Sequence, residues 1–152
     1  MVNQGIKALL LAAAAVFLVG SNAGAQAFTP EPGTPLRKAL MDAIRLDDFY
    51  RTPELARSNP DGIQFKVHFL KVNGSWALAD VLPLKDGKEY AEPRWCLLHK
   101  KGGAWRSVDY LEKIRKYYRN DAEFFGALDM DGKAVARLKK EMPQVPADIF
   151  PH

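Results

Sequence analysis

Two spacings of apolar residues divide this chain. Leu36, Leu40, Ala43 and Ile44 recur at helical intervals, with Arg37, Lys38, Asp42 and Arg45 between them. Thr34-Pro35 precedes them as a cap and a first-turn proline, so a helix is predicted over Pro35–Leu46. Asp47 to Gly62 is polar and broken by Pro53, Pro60 and Gly62, with room for one helical turn after Thr52-Pro53. The period then drops to two. Gln64 to Val72 places Phe65, Val67 and Phe69 on one face and Lys66 and His68 on the other.

Asn73-Gly74 is the strongest hairpin signal, since both residues tolerate the positive φ of a type I′ turn. Ser75 to Leu84 is the return strand. Asp86-Gly87 turns the chain into a third strand, Lys88 to Lys101, which Pro93 must bend or bulge because it cannot donate to a ladder. Gly102-Gly103 leads to a last strand, Ala104 to Tyr110. Beyond it the spacing is helical again. Leu111, Ile114 and Tyr118 share a face, Phe124, Phe125 and Leu128 continue the apolar theme, and Gly132 to Met142 reads as a short helix stopped by Pro143. Ile149 and Phe150 in the proline-bound end call for a groove.

The expected fold is α+β: an N-terminal helix packed on a curved four-stranded antiparallel meander, with C-terminal helical segments. The helix covers the apolar face of the sheet, and period-two alternation leaves the other face to solvent. Residues 34–111 form helix plus sheet, and 112–152 a helical extension packed on the same domain.

Ahead of this lies a different kind of segment. Met1 to Ala25 carries one basic residue, Lys7, then the apolar run Ala8–Gly20 and the A-x-A sequence Ala23-Gly24-Ala25. This is the layout of a cleavable signal peptide, and the run is short for a membrane span. A cut after Ala25, or after Ala27, leaves a flexible leader up to Gly33 and a periplasmic or secreted product with no stable span. No cysteine near the cut offers a site for a lipid anchor.

Composition narrows the chemistry. The 152 residues carry +4, of which Lys7 would leave with the signal. One cysteine, Cys96, excludes an intrachain disulfide, and its apolar neighbours Trp95 and Leu97 point to burial. Three histidines, His68, His99 and His152, show no metal-ligand spacing, although His68 and His99 could meet across strands. Asp129-Met130-Asp131-Gly132 fails as a calcium loop, because its first and twelfth positions fall on Ala127 and Leu138. No GxSxG or phosphate loop occurs, so no cofactor, metal or catalytic residue is called for.

Two carboxylates invite weighing. Asp80 interrupts an apolar strand and Asp109 ends the last one; either could act as a base in a pocket, and the plainer reading puts both on the solvent face. Arg94 to Arg119 holds eight basic residues interleaved with aromatics. Export argues against nucleic acid as their partner and toward an anionic envelope polymer or acidic protein face. A pocket between sheet and helix, with Trp76, Trp95 and Trp105 as walls and Arg94 and Arg106 as anion anchors, would hold a small ligand or peptide.

Gly33-Thr34-Pro35-x-Arg37-Lys38-Ala39, Phe65-x-Val67, Val72-x-Gly74-x-Trp76-Ala77, Asp86-Gly87, Gly103-x-Trp105, Val108-Asp109-Tyr110 and Pro146-x-x-Ile149-Phe150-Pro151 together resemble a group of small, exported, uncharacterised bacterial proteins. Their plan is similar to nuclear-transport-factor-2-like and cystatin-like α+β folds. The resemblance implies that fold and an export route, and brings no catalytic residue. The basic segment after Tyr110 departs from the group.

The functional order of preference is therefore a non-catalytic binding module, then a partner protein using the basic region, then an isomerase or hydrolase using a pocket carboxylate.

Overall fold

Thr34 begins the first helix by accepting the Arg37 N–H on Oγ1 at 3.3 Å, and Pro35 fills the first position. The helix, α1, runs Pro35–Arg45 and buries Leu40, Met41, Ala43 and Ile44. The computed structural model of the chain describes residues 25–52, 62–125 and 128–152. Most of the segment read as a signal peptide, and the helical turn expected after Thr52-Pro53, lie outside the described residues.

Among the described residues five strands follow in one antiparallel sheet: β1 Gln64–Asn73, β2 Trp76–Lys85, β3 Lys88–Glu89, β4 Arg94–Lys101 and β5 Ala104–Val108. Their order is β1–β2–β4–β5, with β3 pairing the far end of β2. The expected third strand is thus two pieces, β3 and β4, separated by residues 90–93, where Pro93 interrupts the ladder. Among the described residues three helices succeed the sheet: α2 Tyr110–Arg115, α3 Asp121–Phe125 and α4 Gly132–Glu141. A 3₁₀ turn, Ala147–Ile149, comes after them.

The hairpin turns differ in kind. Asp86-Gly87 and Gly102-Gly103 each place both central residues at positive φ, the I′ arrangement. The first hairpin does not turn at Asn73-Gly74. Asn73 pairs with Trp76 in the ladder, and Gly74-Ser75 form the loop with only Gly74 at positive φ, as a II′ turn requires.

A larger correction concerns the faces of the sheet. The β1–β2 register slips by one residue between Val67 and Phe69, so His68 is the extra residue of a bulge. Phe69 is thereby moved off the face of Phe65 and Val67. Those two pack under α1 with Leu70, Val72, Ala77, Ala79, Val81, Leu98 and Trp105. Phe69 joins the opposite face beside Trp76, Leu78 and Leu97. That face is not left to solvent. Ile114 of α2, Ala134, Val135 and Leu138 of α4, and Met142, Val145, Ile149 and Phe150 close over it. The sheet is the middle of three layers, which explains why β2 is buried on nearly every residue rather than on alternate ones.

The leader is anchored rather than loose. Phe28 exchanges backbone hydrogen bonds with Val72 at 3.0 and 2.8 Å, and Thr29 Oγ1 donates to the Leu70 carbonyl. No helix among the described residues is long and apolar enough to cross a membrane.

Candidate functional site

β5 is shorter than β4. It stops at Val108, opposite Leu97, and Arg94, Trp95 and Cys96 continue past it. Asp109 ends the strand because its side chain accepts the Glu112 N–H at 3.2 Å and so caps α2. The chain turns away there, and a cleft of about 1090 Å³ opens along β5. The turn that follows α1 forms one bank through Leu46, Asp47, Asp48 and Phe49; α2 and Phe124 of α3 form the other.

Arg94 ties the first bank to the sheet. Its Nη1 lies 3.7 Å from Asp47 Oδ1, and its guanidinium stands 4.2 Å over the Phe49 ring. On the second bank Arg115 pairs with Asp121 and lies 4.8 Å over the Phe124 ring. Tyr110 crosses the floor, its hydroxyl 3.4 Å from the Trp95 carbonyl oxygen, to which it donates. Cys96 lies in the floor, and burial pushes its thiol up to about 12, which leaves it protonated and unreactive.

Four of the five residues singled out for binding line this cleft: Arg94, Trp95, Trp105 and Arg106. They differ in how much they offer. Trp105 is buried in the core under α1, and Arg106 is exposed without an acidic partner among the described residues. Trp76 does not belong to the cleft. It lies under the C-terminal layer and stacks on His99, ring centroids 3.9 Å apart and planes 8° apart. Sequence reasoning passed over Leu46 and Phe49, which are 68% and 51% exposed at the mouth. The signal was available: an apolar residue closing α1 and an Asp-Asp-Phe-Tyr string in a segment read as polar loop.

The two weighed acids separate. Asp109 lines the cleft as an exposed helix cap. Asp80 does not reach the solvent face expected for it. It lies opposite Phe69 and Trp95 under the C-terminal layer, with its side chain 15% exposed. Burial raises its pKa, and His68, with Nδ1 3.4 Å from Asp80 Oδ2, pulls the other way. Its Oδ1 is buried without a hydrogen bond.

The basic segment is partly spent within the fold. Arg94, Arg115, Lys116 and Arg119 face Asp47, Asp121, Glu141 and Glu123. Asp131 of the acidic loop caps α4, accepting the Ala134 N–H at 2.7 Å. No group of three or more His, Cys, Asp or Glu side chains among the described residues is placed to hold a metal.

In the comparisons with known proteins, no family model, curated protein or solved structure matches the chain.

Proposed function

We propose that this is an exported bacterial binding module, non-catalytic, whose site is the cleft along β5 and whose ligand is a small apolar molecule or a peptide. The observation that carries the reading is the placement of Leu46 and Phe49. Two large apolar side chains stand unburied at the mouth of a cleft already floored by aromatic rings. Exposed apolar surface gathered at a concavity is a mark of binding sites. Export rests on the composition of Met1–Ala25 and sends the protein to the periplasm or beyond.

Titration with an anilinonaphthalene sulfonate dye, followed by energy transfer from tryptophan, tests the reading. Trp95 and Trp105 are the donors at the cleft. The expected result is saturable binding, weakened roughly tenfold by Phe49→Ala. Phe28→Ala, which removes an exposed ring remote from the cleft lining, should leave it unchanged. Equal loss in both variants, or no saturation, would overturn the cleft as the site.

A further inference from the structure

The two edges of the sheet are treated differently. The outer edge of β1 is blocked twice, by the backbone bridge from Phe28 to Val72 and by the bulge at His68. β5, the other edge, pairs with β4 over all five residues without a register shift, carries no proline, and pairs with no further strand among the described residues. Its free side faces the cleft, which all five residues line.

The backbone polarity of that free side follows from one hydrogen bond. Lys100 N–H donates to the Ser75 carbonyl at 2.8 Å, so Lys100 directs its backbone groups toward β2. Its partner in β5 is Trp105. In an antiparallel ladder that pair is the non-hydrogen-bonded kind, and Trp105 turns its own N–H and C=O outward. Ser107, two residues on, does the same. Ser107 Oγ is also buried there without a hydrogen-bond partner. Two donors and two acceptors thus stand in a row at the base of an apolar-banked cleft.

The ends of the row carry opposite charge. At the hairpin end lie Lys100 and Lys101, with Arg106 in mid-strand, none with an acidic partner among the described residues. At the other end Asp109 and Glu112 line the cleft. We infer that an extended peptide segment of another protein adds to β5 as an antiparallel strand, with apolar residues at alternate positions, basic residues toward its amino end and acidic ones toward its carboxyl end. An antiparallel strand enters over Asp109 and Glu112 and leaves over the basic hairpin, so this order of charge is the complementary one. A second copy is the less suited occupant. Pairing all five residues of one β5 with those of another sets Arg106 directly opposite Arg106, and like charges so placed repel.

This rests on the cleft being a binding site, and the experiment separates the two. The probes are an array of acetylated, amidated peptides one strand long, varied at the alternate apolar positions with lysine first and glutamate last. A matching array is N-methylated at the backbone amides that would face β5. Methylation leaves the side chains in place and removes the strand's donors. The expected result is binding to members of the first array, loss of roughly tenfold or more in the second, and slowed amide exchange at Trp105 and Ser107 on binding. Ser107→Pro removes an outward N–H that the β4 ladder does not use, and should abolish peptide binding with the fold intact by circular dichroism. Equal binding to both arrays would overturn strand addition and leave the cleft as a binding site. No binding to either array, with the dye still bound at the cleft, would overturn it too. Slow exchange of the two amides in the peptide-free protein, rising with its concentration, would assign the edge to a second copy instead.

Discussion

Asp80 of β2 is held between Phe69 of β1 and Trp95 of β4, with the His68 imidazole as its ion-pair partner. Desolvation outweighs the imidazole and raises the carboxyl's pKa above the ordinary value of 3.8. The folded chain therefore binds this proton more tightly than the unfolded chain does. Folding takes up a proton between the two values, so this group's contribution falls as pH rises through that window and remains unfavourable at every higher pH. Asp80→Asn keeps the shape and removes the charge. The expected outcome is a Tm a few degrees higher at pH 7, with the gain vanishing below the ordinary aspartate value. Thermal melts across that range check it. A lower Tm at pH 7 would mean that the contact with His68 contributes more than desolvation takes away.

The layers on either face of the sheet are predicted to be of comparable weight. Leu40 of α1 and Leu138 of α4 are both fully enclosed, one in each core. Either, cut to alanine, is expected to cost about 2–5 kcal/mol, and both variants should unfold in a single denaturant transition. A separate early transition in Leu138→Ala would make the C-terminal layer an independent unit. The sequence was most readable where the determinant is local. Thr34-Pro35 and the double-positive turns at Asp86-Gly87 and Gly102-Gly103 need only their own residues. What it concealed is set at a distance. One extra residue at His68 reverses the side-chain alternation of β1; its trace in Gln64–Val72 is that Leu70 and Val72 are apolar out of phase with Phe65, Val67 and Phe69, and so short a string does not say where the extra residue sits. The burial of Asp80 was hidden for a related reason: the cover comes from helices dozens of residues later whose short apolar spacing does not say which surface they meet. The cleft was half legible. Its aromatics and arginines stand out in the sequence, while Trp76 was misgrouped because a tryptophan looks the same on either face of a strand.

At the scale of the whole molecule, the first described residues meet the C-terminal turn. Asp148, in the 3₁₀ turn, accepts the Ala27 backbone N–H on Oδ2 at 2.8 Å, and Asn73 Nδ2 donates to both its oxygens at 3.0 and 3.1 Å. These bonds hold the carboxyl below its ordinary value, the Asn73 amide first. A carboxyl lowered by folding contributes stability above its unfolded pKa and loses it as pH falls through the folded one. The same arrangement bears on the two cuts proposed for the signal peptide. A cut after Ala27 removes the peptide N–H that Asp148 accepts and leaves Phe28, already paired with Val72, as the first residue. A cut after Ala25 keeps the N–H, the partial burial of Ala27 and the full strap across β1. Of the two proposed cuts, the one that leaves Gln26 first is therefore expected, and an intact mass of the protein expressed with its own signal segment decides it. A variant made to begin at Phe28 should be less stable by about 1 kcal/mol at neutral pH, the scale of one hydrogen bond to a partly exposed carboxylate. That difference should shrink in acid as Asp148 protonates. A native mass beginning at Phe28, with no loss of stability, would mean that the bonds from Phe28 to Val72 and from Thr29 to Leu70 hold the leader by themselves.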